Sequence, residues 1–247
     1  MNYTLRTRWL DRLLTRLQDQ VGARWILASV SNLLSVHGLE NVAAYKNTSM
    51  LLVANHRSFF DMFVLNAILY RRAGYDQRFL FPVRSSFFYD RSLGFLVNAI
   101  VSFFSMYPPV FRDRKRALLN HQGFIELSEA MRSQTRSAGI HPEGTRNIGD
   151  PYALLPAQSG AGRLVHLSGR PVIPAFINGL TNSIPSQIAG NIRRTGEPVI
   201  AVFGPAVPLD DLLAQPGSGR VYRAIAERIM ERITELAEKE RALREAE

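Results

Sequence analysis

Short apolar segments alternate with segments of helical periodicity along most of this chain, and this alternation limits the folds open to it. The apolar segments have the length and composition of buried strands and lie at residues 50–54, 79–81, 139–141, 171–177 and 199–203. Helical periodicity lies between and after them, at residues 58–72, 93–103, 116–132, 161–167 and 221–245. Strands that alternate with helices predict an α/β fold, with a mostly parallel sheet flanked by helices.

The N-terminal segment has a different pattern. Apolar residues recur at helical spacing from Leu5 to Leu17 with arginines between them, and a mostly apolar stretch from Arg24 to Val36 predicts a second helix. A basic amphipathic helix pair can dock on anionic lipid, whereas two helices that only cover the core are the alternative. We therefore divide the chain into N-terminal amphipathic helices at residues 1–36, with a predicted membrane-docking role, and an α/β domain at residues 37–247.

The charge of the chain narrows the class of partner. The net charge is +9, and every basic residue except Lys46, Lys115 and Lys239 is arginine. Arginine binds phosphate oxygens with two parallel hydrogen bonds, so this charge suits nucleic acid, an anionic membrane surface or a phosphorylated substrate. We expect no nucleic-acid partner, because no helix-turn-helix spacing, zinc knuckle or RNP-like aromatic pattern is present.

An uncharged run covers residues 92–111 and has the length of a membrane span. It contains Gly94, Asn98 and the pair Pro108-Pro109, so its hydrophobicity is uneven. We expect this run to be buried or interfacial, and the protein to lie on a membrane rather than cross it.

The first candidate for catalysis is Asn-His-Arg-Ser-Phe-Phe-Asp at residues 55–61, directly after the first predicted strand. On a regular helix His56 and Asp61 would lie about 140° apart. Ser58 resembles the N-cap of a capping box with Asp61 in the first turn, which leaves His56 on the preceding loop, free to fold back. An aspartate on one imidazole nitrogen fixes the tautomer of a general base. A helix cap beside a surface histidine is the simpler alternative.

The second candidate is His-Pro-Glu-Gly-Thr-Arg at residues 141–146, after another predicted strand. Gly144 allows backbone N–H groups to approach a ligand, and Arg146 offers a fork for phosphate. Glu143 can hold that arginine or bind a substrate hydroxyl. Taken singly, each of these residues would fit an ordinary strand-to-loop turn with a local ion pair.

Together the two patterns resemble the glycerolipid acyltransferase family, that of the 1-acyl-glycerol-3-phosphate acyltransferases, from about residue 36 to residue 203. The resemblance implies that His56 is the general base and that Asp61 orients it. The segment Phe-Arg-Asp-Arg at residues 111–114 is similar to the family's second block, which implies that Arg114 binds the acceptor. The remaining substrate-binding residues that the resemblance implies are Arg84, Glu143, Gly144, Thr145 and Arg146, with Pro171, Val172, Ile173 and Pro174 near the acyl-donor or acyl-chain site.

Several residues depart from the family pattern. Arg84 stands where lysine is frequent, Asn147 where serine is common, and Gln158-Ser159 near Gly160, where the family often has a lysine. Arg112 stands where an apolar residue is usual, and His141 stands where an aromatic or apolar residue is usual. None of these positions belongs to the His–Asp pair, so the departures concern the identity of the acceptor rather than the type of reaction.

The resemblance implies transfer of a fatty acyl group from acyl-CoA or acyl carrier protein to the hydroxyl of a lysophospholipid, most simply 1-acyl-glycerol-3-phosphate giving phosphatidic acid. Alternative acceptors are glycerol 3-phosphate, another lysophospholipid or an amino-acid lyso-lipid, and a silent lipid-binding relative is the non-enzymatic alternative. No covalent acyl-enzyme is expected, because the chain lacks cysteine and a Gly-x-Ser-x-Gly motif.

No cofactor and no metal site are expected from the sequence. His37, His121 and His166 are scattered along the chain and are interpreted as structural or surface residues. The expected location is the cytoplasmic face of a membrane, in peripheral or monotopic association with its anionic surface.

Overall fold

A six-stranded sheet forms the centre of the fold. The computed structural model describes residues 8–133 and 136–246, without the side chains of Arg8, Phe87, Val97, Arg114 and Ala117. The described residues form eight strands, six in this sheet and two in a smaller one. They are β1 (Leu34–His37), β2 (Leu51–Ala54), β3 (Arg78–Leu80), β4 (Val83–Arg84), β5 (Pro109–Val110), β6 (Arg136–Ile140), β7 (Val172–Asn178) and β8 (Val199–Phe203). The sheet order is β1-β8-β7-β2-β6-β3, and β4 pairs with β5 in a separate parallel ladder. Only the β7–β8 pair of the main sheet is antiparallel, so the predicted α/β class with a mostly parallel sheet is confirmed.

Helices cover both faces of this sheet. They are α1 (Arg8–Leu17), α2 (Arg24–Ala28), α3 (Glu40–Ala43), α4 (Asp61–Arg72), α5 (Ser85–Phe88), α6 (Ser92–Val101), α7 (Ala117–Arg132), α8 (Ser159–Ser168), α9 (Ile184–Arg193), α10 (Asp210–Leu213) and α11 (Gly219–Ala246). A π-helical turn at Gln18–Ala23 joins α1 to α2, and a 3-10 turn at Arg114–Arg116 precedes α7.

The continuous apolar run of β2 is explained by burial on both faces. Leu52 and Ala54 pack into a core shared with α2 and α4, whereas Leu51 and Val53 pack into a second core shared with α7, α8 and α11. Successive side chains of a strand point to opposite faces, so a strand between two helical layers has no polar side. This packing holds β2 rigidly up to the residue where the candidate loop begins.

The N-terminal prediction is partly wrong. Helix α2 ends at Ala28 rather than continuing to Val36, and Leu34–His37 form strand β1 beside β8. The backbone of β8 offers hydrogen bonds along its whole length, and this tertiary pairing outweighs the local helical pattern. Leu5, at the start of the predicted first helix, lies outside the described residues. Residues 34–36 therefore belong to the main sheet, and the division of the chain near residue 37 stays a prediction.

The uncharged run at residues 92–111 does not form one helix. Its first half is the ten-residue helix α6, and its second half includes β5. Within the described parts of the chain, no helix combines the length and the apolar character needed to cross a bilayer.

Candidate active site

The two sequence patterns meet at one edge of the sheet. Strands β2 and β6 are parallel neighbours, and each is followed directly by one of the candidate loops. Because the carboxyl ends of parallel strands lie at the same edge, the loop that carries His56 and the loop that carries residues 141–146 lie side by side. This edge is the usual position of ligand sites in open α/β sheets.

His56 and Asp61 are in contact across a turn. Nδ1 of His56 lies 3.2 Å from Oδ2 of Asp61, whose side chain is buried, while 22% of the His56 side chain is exposed. The carboxylate can only accept, so the network assigns the ring proton to Nδ1 and leaves a lone pair on Nε2. The geometry matches the pairing expected from the sequence, and the catalytic role of the pair stays a prediction.

The carboxylate of Asp61 organises the loop before α4. Its Oδ2 accepts the backbone N–H groups of Arg57 at 2.6 Å and Ser58 at 2.7 Å, and its Oδ1 accepts the hydroxyl of Ser58 at 2.6 Å. The expected capping box is partly present: Asp61 lies in the first turn and accepts from the N–H of Ser58, and the Ser58 hydroxyl accepts the N–H of Phe60 at 3.0 Å, but the N-cap of α4 is Phe60 rather than Ser58. A buried carboxylate needs such donors because it has no water to compensate its charge.

The backbone of His56 is fixed from both sides by the second loop. Its N–H donates to Oε1 of Glu143 at 2.7 Å, and its carbonyl accepts the N–H of Asn147 at 2.8 Å. The other oxygen of Glu143 accepts the N–H of Leu155 at 3.0 Å, and burial raises the pKa of this carboxyl. The expectation that Glu143 holds Arg146 is wrong, because both Glu143 oxygens are occupied by backbone amides and Arg146 bonds elsewhere.

Asn55 fixes the start of the same loop. It is buried, and its amide group donates to the carbonyl of Ile177 and accepts the N–H of Ile177, each at 2.9 Å. This pair of hydrogen bonds to the neighbouring strand β7 replaces the ladder hydrogen bonds that β2 no longer makes. His56 therefore follows a residue that is held as firmly as a strand residue.

His141 begins the second candidate pattern, but its contact with His56 was not predicted. Its ring stacks on that of His56 with centroids 4.0 Å apart and planes 7° from parallel. Its Nδ1 lies 3.0 Å from the carbonyl of Ala54 and therefore carries the proton. Burial, followed by the neighbouring His56, lowers the pKa of His141 to about 4. His141 thus presents a neutral ring to His56 near neutral pH.

Replacing His141 with phenylalanine should make the protein less sensitive to acid. The ordinary pKa of a histidine side chain is 6.5, so between this pH and about pH 4 the unfolded chain binds a proton that folded His141 does not. Above pH 6.5 His141 is neutral in both states and has no effect of this kind. As the pH falls from 6.5 to about 4, the free energy of unfolding decreases by about 3 kcal/mol in total. Urea unfolding at a series of pH values should show a smaller acid loss in His141→Phe than in the parent protein. Equal losses would contradict the depressed pKa.

The group His56, Asp61 and His141 was tested as a metal site. One ligand-type atom from each residue lies within 4.8 Å of the others. The two stacked rings are parallel, so their in-plane lone pairs cannot converge on one ion, and both Nδ1 atoms already have hydrogen-bond partners. This arrangement fits a metal poorly, and the expected absence of a metal stays a prediction. The other histidines bond elsewhere, His37 to Ser35, His121 to Arg163 and His166 to Gln215.

Arg84, Arg112 and Arg146 form an arginine cluster near this edge of the sheet. The β4–β5 ladder places Arg84 opposite Val110, two residues before Arg112. Desolvation, followed by the positive charges of Arg112 and Arg146, lowers the pKa of Arg84. Among the described side chains, none of these three arginines has a carboxylate partner. Cations held together without counter-charge favour a polyvalent anion.

Asn182 links this cluster to the loop that carries His56. Its Oδ1 accepts Nη1 of Arg146 at 3.0 Å and the backbone N–H of Phe59 at 3.1 Å. Asn182 and Arg112 were missed as site residues. No local pattern pointed to Asn182, while an unexpected arginine in the second block was the available signal for Arg112. The side chain of Arg114 lies outside the described residues, so its expected contact with the acceptor is not tested.

Gly144 and Thr145 form the turn of the second loop. Gly144 has φ +66°, a conformation that favours glycine, and an added Cβ would lie 3.0 Å from Gln158. Its N–H donates to the carbonyl of His141 at 3.0 Å and is used within the turn. Among the described residues, no group accepts from the N–H of Thr145 or Arg146. These two amides, rather than that of Gly144, are available to a ligand.

The segment from Pro171 to Pro174 lies away from the two candidate loops. Val172 pairs with Leu51 and Pro174 with Val53, so Pro171 directly precedes β7 and the other three residues begin it. At about 3.3 Å per residue, Pro174 lies roughly 10 Å before the level of His56. Val172 and Ile173 are buried in the two cores. The structure does not bring this segment to the site surface, and its expected role at an acyl site stays a prediction.

The fold and this edge define an α/β protein with a histidine–aspartate pair beside a cluster of arginines that have no carboxylate partner among the described side chains. The sequence model of the acyltransferase family matches residues 33–178, more than half of the chain, so the protein belongs to the acyltransferase family. The crystal structure of the 1-acyl-sn-glycerophosphate (LPA) acyltransferase PlsC from Thermotoga maritima is similar, with 19% identity, a TM-score of 0.57, and coverage of 94% of this chain and 83% of that one. No curated protein matches this chain. The expected family and fold are thus confirmed.

Proposed function

We propose that this acyltransferase moves a fatty acyl group from an acyl thioester to the hydroxyl of a lysophospholipid, with 1-acyl-glycerol-3-phosphate as the acceptor and phosphatidic acid as the product. The observation that carries the proposal is the contact of His56 with Asp61 at 3.2 Å at the same edge of the sheet as three arginines without carboxylate partners. A base and an anion site together suit an acceptor that carries both a hydroxyl and a phosphate.

His56 acts as the general base. With Nδ1–H bonded to Asp61, Nε2 takes the proton of the acceptor hydroxyl as its oxygen attacks the thioester carbonyl. Asp61 stabilises the imidazolium that forms. The tetrahedral intermediate then collapses and the carbon–sulfur bond breaks. The leaving thiolate takes the proton from the imidazolium of His56 and departs as a thiol. The neutral ring of His141 supports this cycle because it adds no positive charge against the protonated base.

The oxyanion of the intermediate is stabilised by backbone N–H groups of the second loop. The N–H groups of Thr145 and Arg146 are the candidates, since that of Gly144 is already bonded to His141. Donors fixed in a turn need no reorganisation when charge develops on the carbonyl oxygen.

The acceptor phosphate binds the arginine cluster. Arg146 is held at its Nη1 by Asn182, which leaves other donors of the guanidinium free, and Arg84 and Arg112 supply further positive charge. The acyl donor is acyl-CoA or acyl carrier protein, both of which are acidic and suited to a basic protein. No cofactor is required for this reaction.

The protein associates peripherally with the cytoplasmic face of a membrane and its anionic lipids. Helix α1 exposes Trp9, Leu10 and Leu13 beside basic residues, which is the composition of an interfacial helix. Residues 1–36 supply this docking in the proposal.

Thiol release from palmitoyl-CoA tests the function directly. We expect release that depends on lysophosphatidic acid and is much slower with the matched monoacylglycerol, which lacks the phosphate. Arg146→Gln should raise KM for lysophosphatidic acid by about tenfold or more with little effect on KM for palmitoyl-CoA. Arg220→Gln, an exposed position on α11, is the matched control.

The outcomes separate the alternatives. Equal release with glycerol 3-phosphate or with an amino-acid lyso-lipid would change the acceptor but keep the reaction. Release that is independent of every acceptor would contradict acyl transfer and indicate a thioesterase. Lipid binding without any thiol release would support the silent relative.

A further inference from the structure

Helix α9 buries polar side chains and exposes apolar ones, which reverses the usual pattern of a surface helix. Its buried side chains include the polar residues Gln187 and Asn191, while Ile184, Ile188 and Ile192 are 41%, 37% and 69% exposed. A helix on the surface of a soluble domain normally turns its apolar stripe toward the core. A large part of the apolar side of α9 is therefore left uncovered by the described residues.

The buried polar residues of α9 make hydrogen bonds to other elements, and these bonds fix the orientation of the helix. Asn191 accepts the N–H of Asn32 at 2.8 Å and donates to the carbonyl of Ala28 at 2.8 Å, and the side chain of Asn32 donates back to the carbonyl of Asn191. Gln187 accepts the N–H of Thr181 at 3.0 Å. Rotating the isoleucines inward would break these bonds and leave buried polar groups without partners, at a cost of about 1–3 kcal/mol each.

The exposed stripe has the chemistry of a lipid-facing surface. The three isoleucines recur every fourth residue and cover about 80° of the helix circumference. Helix α9 has no acidic residue, and the exposed Arg193 and Arg194 stand at its carboxyl end. Glu197 follows in the next loop, so the end of the helix remains positive.

Helix α9 lies beside the proposed catalytic loop. Asn182, two residues before the helix begins, contacts both the backbone of Phe59 and the guanidinium of Arg146. On the other side of the loop, Phe59 stacks on Phe88 of α5 with ring centroids 5.7 Å apart. The helix that follows α5 is α6, which carries no charged side chain and exposes Leu93, Phe95, Leu96 and Ile100.

We propose that the α9 face, defined as Ile184, Ile188, Ile192, Arg193 and Arg194, docks on a bilayer that contains anionic lipid. The isoleucines enter the boundary between headgroups and acyl chains, and the two arginines bind lipid phosphates. A bilayer suits this face better than a protein partner because an exposed apolar stripe that ends in two arginines matches an acyl-chain boundary beneath anionic headgroups, and α6 exposes further apolar side chains. The inference rests on the membrane acceptor of the proposed function and assigns the contact to a helix outside the N-terminal segment.

Docking through α9 gives the lysophospholipid a short route. The acceptor phosphate of a lipid in the contacted leaflet lies at headgroup depth, where Arg146 and Asn182 connect directly to the start of α9. The bilayer contact and the acceptor site are then parts of one surface.

Vesicle flotation of the full chain tests this assignment without any need for turnover. The variant Ile184→Gln/Ile188→Gln/Ile192→Gln should bind vesicles of equal parts phosphatidylcholine and phosphatidylglycerol at least about tenfold more weakly than the parent. Its thermal unfolding temperature should fall by only a few degrees and its unfolding should stay cooperative, because all three side chains are partly exposed. Turnover of a short-chain lysophosphatidic acid that is monomeric in solution should also be unchanged, while turnover of acceptor embedded in vesicles should fall.

The charge of the α9 face is tested against a matched pair of arginines. Arg193→Gln/Arg194→Gln should weaken binding to the mixed vesicles, whereas Arg220→Gln/Arg223→Gln, on α11 beside the opposite core, should not. Equal weakening by both pairs would show a diffuse charge effect and overturn the assignment. The assignment would also be overturned if the folded isoleucine variant bound vesicles as tightly as the parent does, or if the variant lost self-association but kept vesicle binding. Absence of thiol release in the parent would refute the proposed function while leaving the vesicle result intact.

Discussion

Replacing His56 with alanine is expected to reduce the rate of acyl transfer by about 10³-fold or more while leaving the fold intact. The side chain of His56 supplies only ring contacts and the bond to Asp61, whereas its backbone holds the loop through Glu143 and Asn147. Alanine keeps those backbone bonds and removes the base. Acceptor-dependent thiol release from palmitoyl-CoA measures the loss, and added imidazole should restore part of the rate.

The matched control is His166→Ala, which removes an imidazole from the last turn of α8, just before β7 begins. This variant should keep the parent rate. Full activity of a folded His56→Ala protein would refute general-base catalysis by this residue, even if acyl transfer itself were established.

Replacing Asp61 with asparagine is expected to reduce kcat by about 10²- to 10⁴-fold, because the imidazolium of His56 loses its counter-charge. The effect on folding should be smaller than the effect on rate. Three N–H donors meet at Oδ2, where the asparagine oxygen fits, and the hydroxyl of Ser58 at Oδ1 can rotate to accept from the new amide.

Alanine at the same position should have a second effect. Asp61→Ala removes the acceptor of the Arg57 and Ser58 amides, the Ser58 hydroxyl and the ring of His56. At about 1–3 kcal/mol for each buried donor left without a partner, the free energy of unfolding should fall by several kcal/mol. Urea unfolding compares the two variants with Asp210→Asn, an exposed aspartate in α10. Equal stability of the alanine and asparagine variants would show that the carboxylate does not organise the loop.

The N-terminal segment shows where local patterns fail. Periodicity indicated helix from residue 24 to residue 36, yet Leu34–His37 pair with β8, whose sequence lies more than half the chain away. Helix α9 was not predicted, and tertiary contacts set its orientation. Asn191 accepts the N–H of Asn32 and donates to the carbonyl of Ala28, which turns Asn191 toward the protein.

The sequence by itself determined the α/β class, the family, and the pairing of His56 with Asp61. These follow from strand and helix periodicity and from residues five positions apart, for which local backbone geometry suffices. Only the tertiary structure decided that Glu143 and Asn147 hold the backbone of His56, that His141 stacks on its ring, and that Asn182 joins Arg146 to the catalytic loop. Each of these contacts joins residues that lie far apart in sequence, on loops that meet only once the strand order is set. Strand order depends on how whole layers pack, and no local pattern encodes it.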